Sequence, residues 1–173
     1  TELLSWCKEH INNATGKPYN LYTDGLKIYT TINSKMQRYA EEAMREHMKE
    51  IQKKFNEHWK GKAQPWDEHP EIVTDGMKKT DRYIAMKAAK ASQKEIDKAF
   101  KTKVKMTVFT WNGEVDTMLS PLDSLKYYKK FLQCGFMSMD PISGAVRAWV
   151  GGNDYRYFKY DHVKEGKRQV GST

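Results

Sequence analysis

The feature that most constrains this chain is a pair of apolar runs, separated by a short group of turn-forming residues. The runs flank residues 140–144, with the sequence DPISG. Two such runs joined by a loop of three to five residues that contains glycine are typical of a β-hairpin, so residues 135–150 are predicted to form one. Alternate residues from Ala145 to Val150 are small and apolar, which gives the second strand one face for a core.

The hairpin and the end of the chain carry motifs of one enzyme family. Residues 140–152 fit the pattern DPxSGxVxAxVGG, and the chain ends in RQxGST from Arg168. This combination resembles class A penicillin-binding proteins, the bifunctional enzymes that polymerise and cross-link peptidoglycan. The resemblance implies that the hairpin opens a transpeptidase domain and that Ser172 is the acylated nucleophile.

In that family the serine begins an S-x-x-K motif. A serine hydroxyl needs a neighbouring base, and residues three apart lie on one face of a helix. The lysine would stand two residues past Thr173, and the completing motifs S-D-N and K-T-G do not occur in this sequence. We therefore expect a truncated domain that is inactive on its own. Val170 stands where many relatives carry proline. Without the resemblance, a terminal Gly-Ser-Thr would be interpreted as a loop or a chain end.

For the intact parent protein, the resemblance implies attack of Ser172 on a D-Ala-D-Ala peptide. An acyl-enzyme would form, and the acyl group would pass to the amine of a neighbouring stem peptide. The implied ligands are peptidoglycan stem peptides and β-lactams, with a glycosyltransferase domain upstream. The implied location is the extracytoplasmic, periplasmic side of the cell membrane, reached through an upstream segment. A protein partner for the connector region is left open.

Composition argues against several other classes. The net charge is +8, but the 30 Lys and Arg are mixed with 22 acidic residues, so a solvated surface is favoured over nucleic-acid binding. The sequence has no phosphate-binding glycine loop, zinc-ligand spacing or HExxH, so no cofactor or metal is expected. Cys7 and Cys134 are predicted to be buried thiols, and a disulfide between them is the alternative. A second hypothesis is a non-catalytic connector module that binds a protein or glycan through Trp66 and Trp111.

The first sixty residues predict two helices around a strand. Residues 1–13 have helical apolar spacing, and residues 26–32 alternate as a half-buried strand does. Ser34 followed by Gln37 is a capping-box pattern, which predicts a long amphipathic helix that extends to Trp59. His47 falls on its apolar stripe, as a core or boundary histidine rather than a catalytic one.

Residues 61–103 are predicted to be an inserted or peripheral subdomain without chemistry of its own. Apolar positions are sparse here, so this stretch is expected to open most easily. It should hold a loop at 65–70, a helix at 80–91 and a helix at 92–100 that begins with a second capping box. Three potential metal ligands match no known spacing and are expected on the surface: His58, His69 and Asp67.

The remaining residues, 104–173, predict a connector hairpin, a helix and the transpeptidase hairpin. Residues 104–118 should form the first hairpin around Asn112-Gly113, and Ser120 should cap the helix that follows. The predicted class is α+β, with a long amphipathic helix, shorter helices and antiparallel hairpins in a truncated transpeptidase-type domain with a connector subdomain. The resemblance covers about residues 20–60 and 104–173, and the predicted division is 1–60, 61–103 and 104–173.

Overall fold

A computed structural model describes residues 2–167, to which it assigns seven helices and six strands. The helices are α1 (Glu2–Glu9), α2 (Ser34–His58), α3 (Pro65–Glu68), α4 (Glu71–Lys78), α5 (Asp81–Ala88), α6 (Gln93–Lys101) and α7 (Pro121–Lys129). The strands are β1 (Ile11–Asn12), β2 (Lys17–Pro18), β3 (Val104–Thr110), β4 (Gly113–Leu119), β5 (Phe136–Met139) and β6 (Val146–Val150). They pair consecutively in three antiparallel, two-stranded sheets, so the α+β class is confirmed.

The chain divides into two compact units after residue 31. In the first unit α1 buries Cys7, and the ring of Trp6 stacks on Tyr19 at 5.5 Å. The prediction that this helix extends to residue 13 is wrong. Residues Ile11–Asn12 pair with Lys17–Pro18 as a small hairpin instead, and this extended backbone ends the helix at Glu9.

The half-buried strand predicted at residues 26–32 is also wrong, because this segment is irregular in the structure. Side chains on both alternating faces are exposed: Ile28 is 54% exposed and Tyr29 is 89% exposed. A strand is stabilised by backbone hydrogen bonds to a neighbouring strand and by one buried face. The alternation of residue types at 26–32 provides neither the neighbouring strand nor the buried face.

The long helix α2 begins the second unit and confirms the predicted helix, with a different cap. Asn33 is the N-cap, and its side chain accepts hydrogen bonds from the backbone N–H groups of Lys35 and Met36, both at 3.1 Å. The prediction of a cap at Ser34 is therefore off by one residue. Only Met48 and Gln52 of this helix are buried. His47 is exposed, so its predicted place in the core or at its boundary is wrong.

The tightest apolar packing of the described residues lies where low burial was expected. Ile96 and Phe100 on α6 are fully buried and pack with Met77 of α4, and Leu122 and Leu125 of α7 cover them. The expectation that residues 61–103 have sparse buried contacts is therefore wrong. The predicted helices at 80–91 and 92–100 are confirmed as α5 and α6. Helix α4 was not predicted, and the expected loop at 65–70 contains α3.

Both predicted hairpins of the second unit are confirmed. In the first, Thr110 pairs with Gly113, so the two-residue loop is Trp111-Asn112, one position before the predicted turn. Gly113 has φ +114°, which favours glycine. In the second, β5 and β6 flank the predicted turn at 140–144. Ser120 caps α7 as predicted, with its Oγ accepting from the Asp123 N–H at 3.1 Å.

Candidate functional site

The hairpin that carries the family motif is fixed to α2 by a side-chain amide. The Gln37 Oε1 atom accepts a hydrogen bond from the Trp149 N–H at 2.7 Å, and Gln37 Nε2 donates to the Trp149 carbonyl at 2.9 Å. The Asn33 N–H donates to the carbonyl of Arg147 at 2.9 Å. The start of α2 therefore takes the place of a neighbouring strand along β6, at an edge that would otherwise be unpaired.

The backbone beyond β6 folds back on the hairpin through Asp161. Its Oδ2 atom accepts from the Trp149 indole N–H at 3.0 Å, and its Oδ1 atom accepts from the backbone N–H groups of Val163 and Lys164 at 2.9 and 3.0 Å. The His162 N–H donates to the Gly151 carbonyl at 2.7 Å. These bonds hold residues 161–164 against the end of β6.

These contacts lower the pKa of the Asp161 carboxyl group overall. Burial raises its pKa, but the hydrogen bonds from Lys164, Trp149 and Val163 outweigh that effect and hold the pKa below its usual value. Close packing adds to the restraint, because a Cβ atom on Gly151 would lie 2.8 Å from the Asp161 Cγ atom. Asp161 is therefore held by four neighbouring residues.

The candidate nucleophile Ser172 lies outside the described residues, as does Arg168 of the same motif. The predicted geometry of the serine thus stays a prediction. The structure defines the scaffold that precedes it in the chain, from β6 through Asp161 to Lys167. The serine follows Asp161 by eleven positions in the sequence.

A second glutamine of α2 fastens the segment before the hairpin. Gln52 is buried, its Oε1 atom accepts from the Leu132 N–H at 2.8 Å, and its Nε2 atom donates to the Lys130 carbonyl at 3.0 Å. Asn153 Nδ2 donates to the Leu132 carbonyl at 2.7 Å. The backbone around Leu132 is therefore clamped between α2 and the turn that follows β6.

A groove of about 1020 Å³ lies beside this clamp, between α2 and the connector hairpin. Five aromatic side chains line it. Phe55 and Trp59 come from the C-terminal end of α2, with ring centroids 6.1 Å apart. The opposite wall carries Trp111, Tyr127 and Phe131. The groove joins two elements that are far apart in the sequence.

Hydrogen bonds and ring contacts make the second wall rigid. Tyr127 Oη donates to the Phe109 carbonyl at 2.7 Å, and the Phe109 N–H donates to Tyr128 Oη at 3.2 Å. Burial raises the pKa of both tyrosines, so both hydroxyls stay protonated, that of Tyr127 as a donor and that of Tyr128 as an acceptor. The Phe109 ring contacts Trp111 and Phe131 edge-on at 5.3 and 5.4 Å.

Four side chains were candidates for thiol or metal chemistry: Cys7, Cys134, His58 and His69. Cys7 and Cys134 are both free thiols, and burial raises the pKa of Cys134. Lys62 Nζ lies 3.1 Å from His58 Nε2, whereas His69 Nδ1 lies 2.9 Å from a Glu71 carboxylate oxygen. Between residues 2 and 167, no group of three His, Cys, Asp or Glu side chains could hold a metal ion.

Comparison with known proteins finds similarity to penicillin-binding proteins. The model of the penicillin-binding protein middle domain matches residues 59–132. Penicillin-binding protein 1A of Escherichia coli is 26% identical over 207 residues, which cover 99% of this chain and 24% of that protein. Penicillin-binding protein 1A of Rickettsia conorii is 27% identical, over 87% of this chain and 22% of that protein. Over nearly its whole length this chain is therefore similar to penicillin-binding protein 1A, at about a quarter identity.

The similarity to this family is uneven along the chain. Penicillin-binding protein 2D of Bacillus subtilis is 45% identical over 42 residues, which are 24% of this chain and 6% of that protein. The chain spans about a quarter of the length of the penicillin-binding protein 1A relatives that it matches. No solved structure gives a significant match.

The residues that match the penicillin-binding protein middle domain include part of the groove lining. Residues 59–132 include α3 to α7 and the connector hairpin β3–β4, so they supply Trp111, Tyr127 and Phe131 of the groove. Helix α2, which precedes the matched residues, supplies most of the other wall. The match also crosses the predicted boundary at residues 103 and 104. The division into 1–60, 61–103 and 104–173 stays a prediction.

Sequence reasoning missed both glutamines and most of the groove. Gln37 was assigned to a capping box, but its amide bonds to β6, and Gln52 carried no expectation. The signal for Gln52 is a polar residue on the apolar stripe of α2, one turn beyond Met48. Trp111 was singled out and lines the groove. Trp66 is half-buried under Lys130, whose Nζ atom lies 5.5 Å from the ring centroid.

Proposed function

We propose that this chain is part of a peptidoglycan-synthesising penicillin-binding protein whose intact form cross-links stem peptides. The observation that carries the proposal is the similarity to penicillin-binding protein 1A over 99% of the chain. The fold is consistent with it, because the motif DPISGAVRAWVGG forms the turn and the second strand of the hairpin that α2 and Asp161 hold in place.

In this proposal Ser172 is the nucleophile of a two-step acyl transfer. Its hydroxyl oxygen attacks the carbonyl carbon of the penultimate D-Ala, and a basic group takes the hydroxyl proton. The terminal D-Ala leaves with a proton as its amine forms, and an ester to Ser172 remains. A stem-peptide amine then attacks the ester and releases the serine. Backbone N–H groups would stabilise the oxyanion in both steps.

The base in this scheme is the lysine of S-x-x-K, one helical turn beyond the serine. These 173 residues do not include that position. We propose that a polypeptide of these residues alone is not acylated. The parent protein would act at the extracytoplasmic, periplasmic face of the membrane, with a glycosyltransferase domain upstream. Of the helices in residues 2–167, none is long and apolar enough to cross a membrane.

Labelled penicillin tests the proposed nucleophile. The full-length protein that contains this sequence is incubated with the label and digested, and adducts are located by mass spectrometry. We expect one adduct, on Ser172, and its loss in Ser172→Ala. Ser143→Ala is the matched control, because Ser143 is an exposed serine in the hairpin turn, and it should label as the wild type does.

Two results would count against this assignment. Labelling of Ser172→Ala to the wild-type extent would show that another serine is acylated. A covalent adduct on Ser172 in the 173-residue polypeptide would show that the lysine is not needed.

The alternative, a non-catalytic connector module that binds a protein or a glycan, is supported by the groove beside α2.

A further inference from the structure

We infer that the groove between α2 and the connector hairpin binds a neutral oligosaccharide of N-acetylated sugars. This site is separate from Ser172 and its acyl-transfer chemistry. Only the natural source of the sugar, a peptidoglycan glycan strand, rests on the proposed function. The chemistry of the groove is independent of that function.

The first argument is the aromatic lining. Sites for organic ligands are concave, mostly apolar and aromatic, with a small number of placed polar groups. Here α2 and its C-cap contribute Phe55 and Trp59, and the other lining elements contribute the aromatic side chains of Trp111, Tyr127 and Phe131. Sugar rings have flat C–H faces that pack on aromatic rings, whereas their edges carry hydroxyl groups.

The second argument is the length and polarity of the α2 wall. The lining residues that belong to α2 run from Glu46 to Glu57, which is about 16 Å at 1.5 Å per residue. That length accommodates several linked sugar rings. Acidic, amide and basic side chains alternate along this wall, and hydroxyl groups can both donate to and accept from such neighbours.

The third argument is charge. The lining includes three glutamates (Glu46, Glu50, Glu57) and four lysines (Lys49, Lys53, Lys60, Lys130), so the two signs nearly cancel. A nucleic acid or a strongly acidic peptide would require a clear excess of positive charge. The balance favours a ligand that is polar and uncharged.

The fourth argument is an unused hydrogen-bond donor in the wall. The indole N–H of Trp111 is buried and has no hydrogen-bond partner among the described residues. Buried donors are nearly always paired, and a donor left alone is destabilising. An acetamido carbonyl oxygen bound beside the Trp111 ring would supply the missing acceptor. This is why the inferred sugars are N-acetylated.

Indole NMR provides a test that reports on each tryptophan separately. The 15N-labelled 173-residue chain is titrated with the β-1,4-linked tetramer of N-acetylglucosamine. The Nε1–H signals of Trp59 and Trp111 should shift saturably, because both side chains line the groove. The signal of Trp6 should stay in place, because Trp6 is not among the residues that line the groove.

A matched pair of variants tests the role of the donor. Trp111→Phe keeps an aromatic ring but removes the N–H, and binding should weaken by about 3- to 10-fold for one lost hydrogen bond. Trp6→Phe is the same substitution outside the groove and should leave the affinity unchanged. Phe55→Ala, at a half-buried position on the opposite wall, provides a second variant and should also weaken binding.

Three outcomes would overturn the inference: no saturable shift of Trp59 or Trp111, equal affinities for Trp111→Phe and wild type, or shifts of the same size with a neutral tetra-alanine amide. The last would assign the groove to a peptide. Labelling of Ser172 by penicillin is scored in a separate experiment. Failure of the saccharide site and failure of the proposed nucleophile can therefore be distinguished.

Discussion

The side-chain amide of Gln37 forms a pair of hydrogen bonds with the backbone of Trp149, 112 positions away in the sequence, at 2.7 and 2.9 Å. A primary amide presents an N–H donor beside a carbonyl acceptor, as a peptide group does, and Gln37 Nε2 also donates to Glu41 at 2.7 Å. Gln37 therefore completes the β6 edge as one residue of a neighbouring strand would. Through the indole of Trp149, the same strand is bonded to Asp161.

Removing this amide should destabilise the second unit. Gln37→Ala leaves the N–H and carbonyl of Trp149 without their partner, at a cost of about 1–3 kcal/mol in the free energy of unfolding. Urea denaturation measures this change. Gln93→Ala is the control, because the Gln93 amide bonds only to exposed side chains nearby in the sequence, Asp97 and Lys87, and it should stay within about 0.5 kcal/mol of wild type. Equal effects would show that the β6 contact adds nothing.

The contact between Gly151 and Asp161 makes a steric prediction. In Gly151→Ala the new methyl carbon would lie 2.8 Å from the Asp161 Cγ atom, and that carboxylate is held by hydrogen bonds on both oxygens. We expect a loss of about 1–3 kcal/mol from overpacking. Gly152→Ala is the matched neighbour, with its closest contact at 3.5 Å. If thermal or urea unfolding shows the two variants to be equally stable, the packing of Asp161 is looser than described.

Asp161 should also make stability depend on acidic pH. Its pKa is lower in the folded chain than the value of about 3.9 for an unfolded aspartate. A depressed pKa contributes stability above the unfolded value, and that contribution is lost as the pH falls through the folded value. Urea denaturation at neutral pH and below pH 3 should show a smaller loss for Asp161→Asn than for wild type. Parallel losses in the two proteins would rule out this role.

The cluster on α6 predicts where the chain is most sensitive to truncation. Phe100 is 2% exposed and packs within the buried cluster, so Phe100→Ala should cost about 3–5 kcal/mol. Ile84→Ala on α5, at a side chain that is 57% exposed, should change stability by less than about 0.5 kcal/mol. Hydrogen exchange should find the α6 amides well protected. Rapid exchange there would restore the view of residues 61–103 as loosely packed.

Local signals in the sequence were sufficient for most of the elements. The capping box of Ser92 and Glu95 and the cap at Ser120 both begin helices in the structure. The turn at 140–144 likewise joins two strands. Each of these signals depends on hydrogen bonds between residues close in the chain. Such bonds form in nearly the same way whatever the rest of the protein does.

Features that depend on contacts between residues far apart in the sequence could not be predicted from local signals. The alternation at residues 26–32 suggested a strand, but a strand requires a neighbour that the sequence does not name. Helix α4 has no side-chain cap, and Val73 and Met77 stabilise it by burial instead. The groove is lined by both Phe55 and Trp111, which lie on two elements far apart in the sequence. No short-range sequence pattern predicts that these two elements line the same groove.

The two glutamine contacts of α2 also imply an order of assembly. Gln52 bonds to Leu132 across 80 positions, and Gln37 bonds to Trp149 across 112. Contacts this distant are slow to form because a long loop must close first. Once the Gln52 contact exists, only the segment between Leu132 and Trp149 remains to be closed, since α2 is already rigid. The motif-bearing hairpin should therefore dock last, after the middle segment has folded onto the helix.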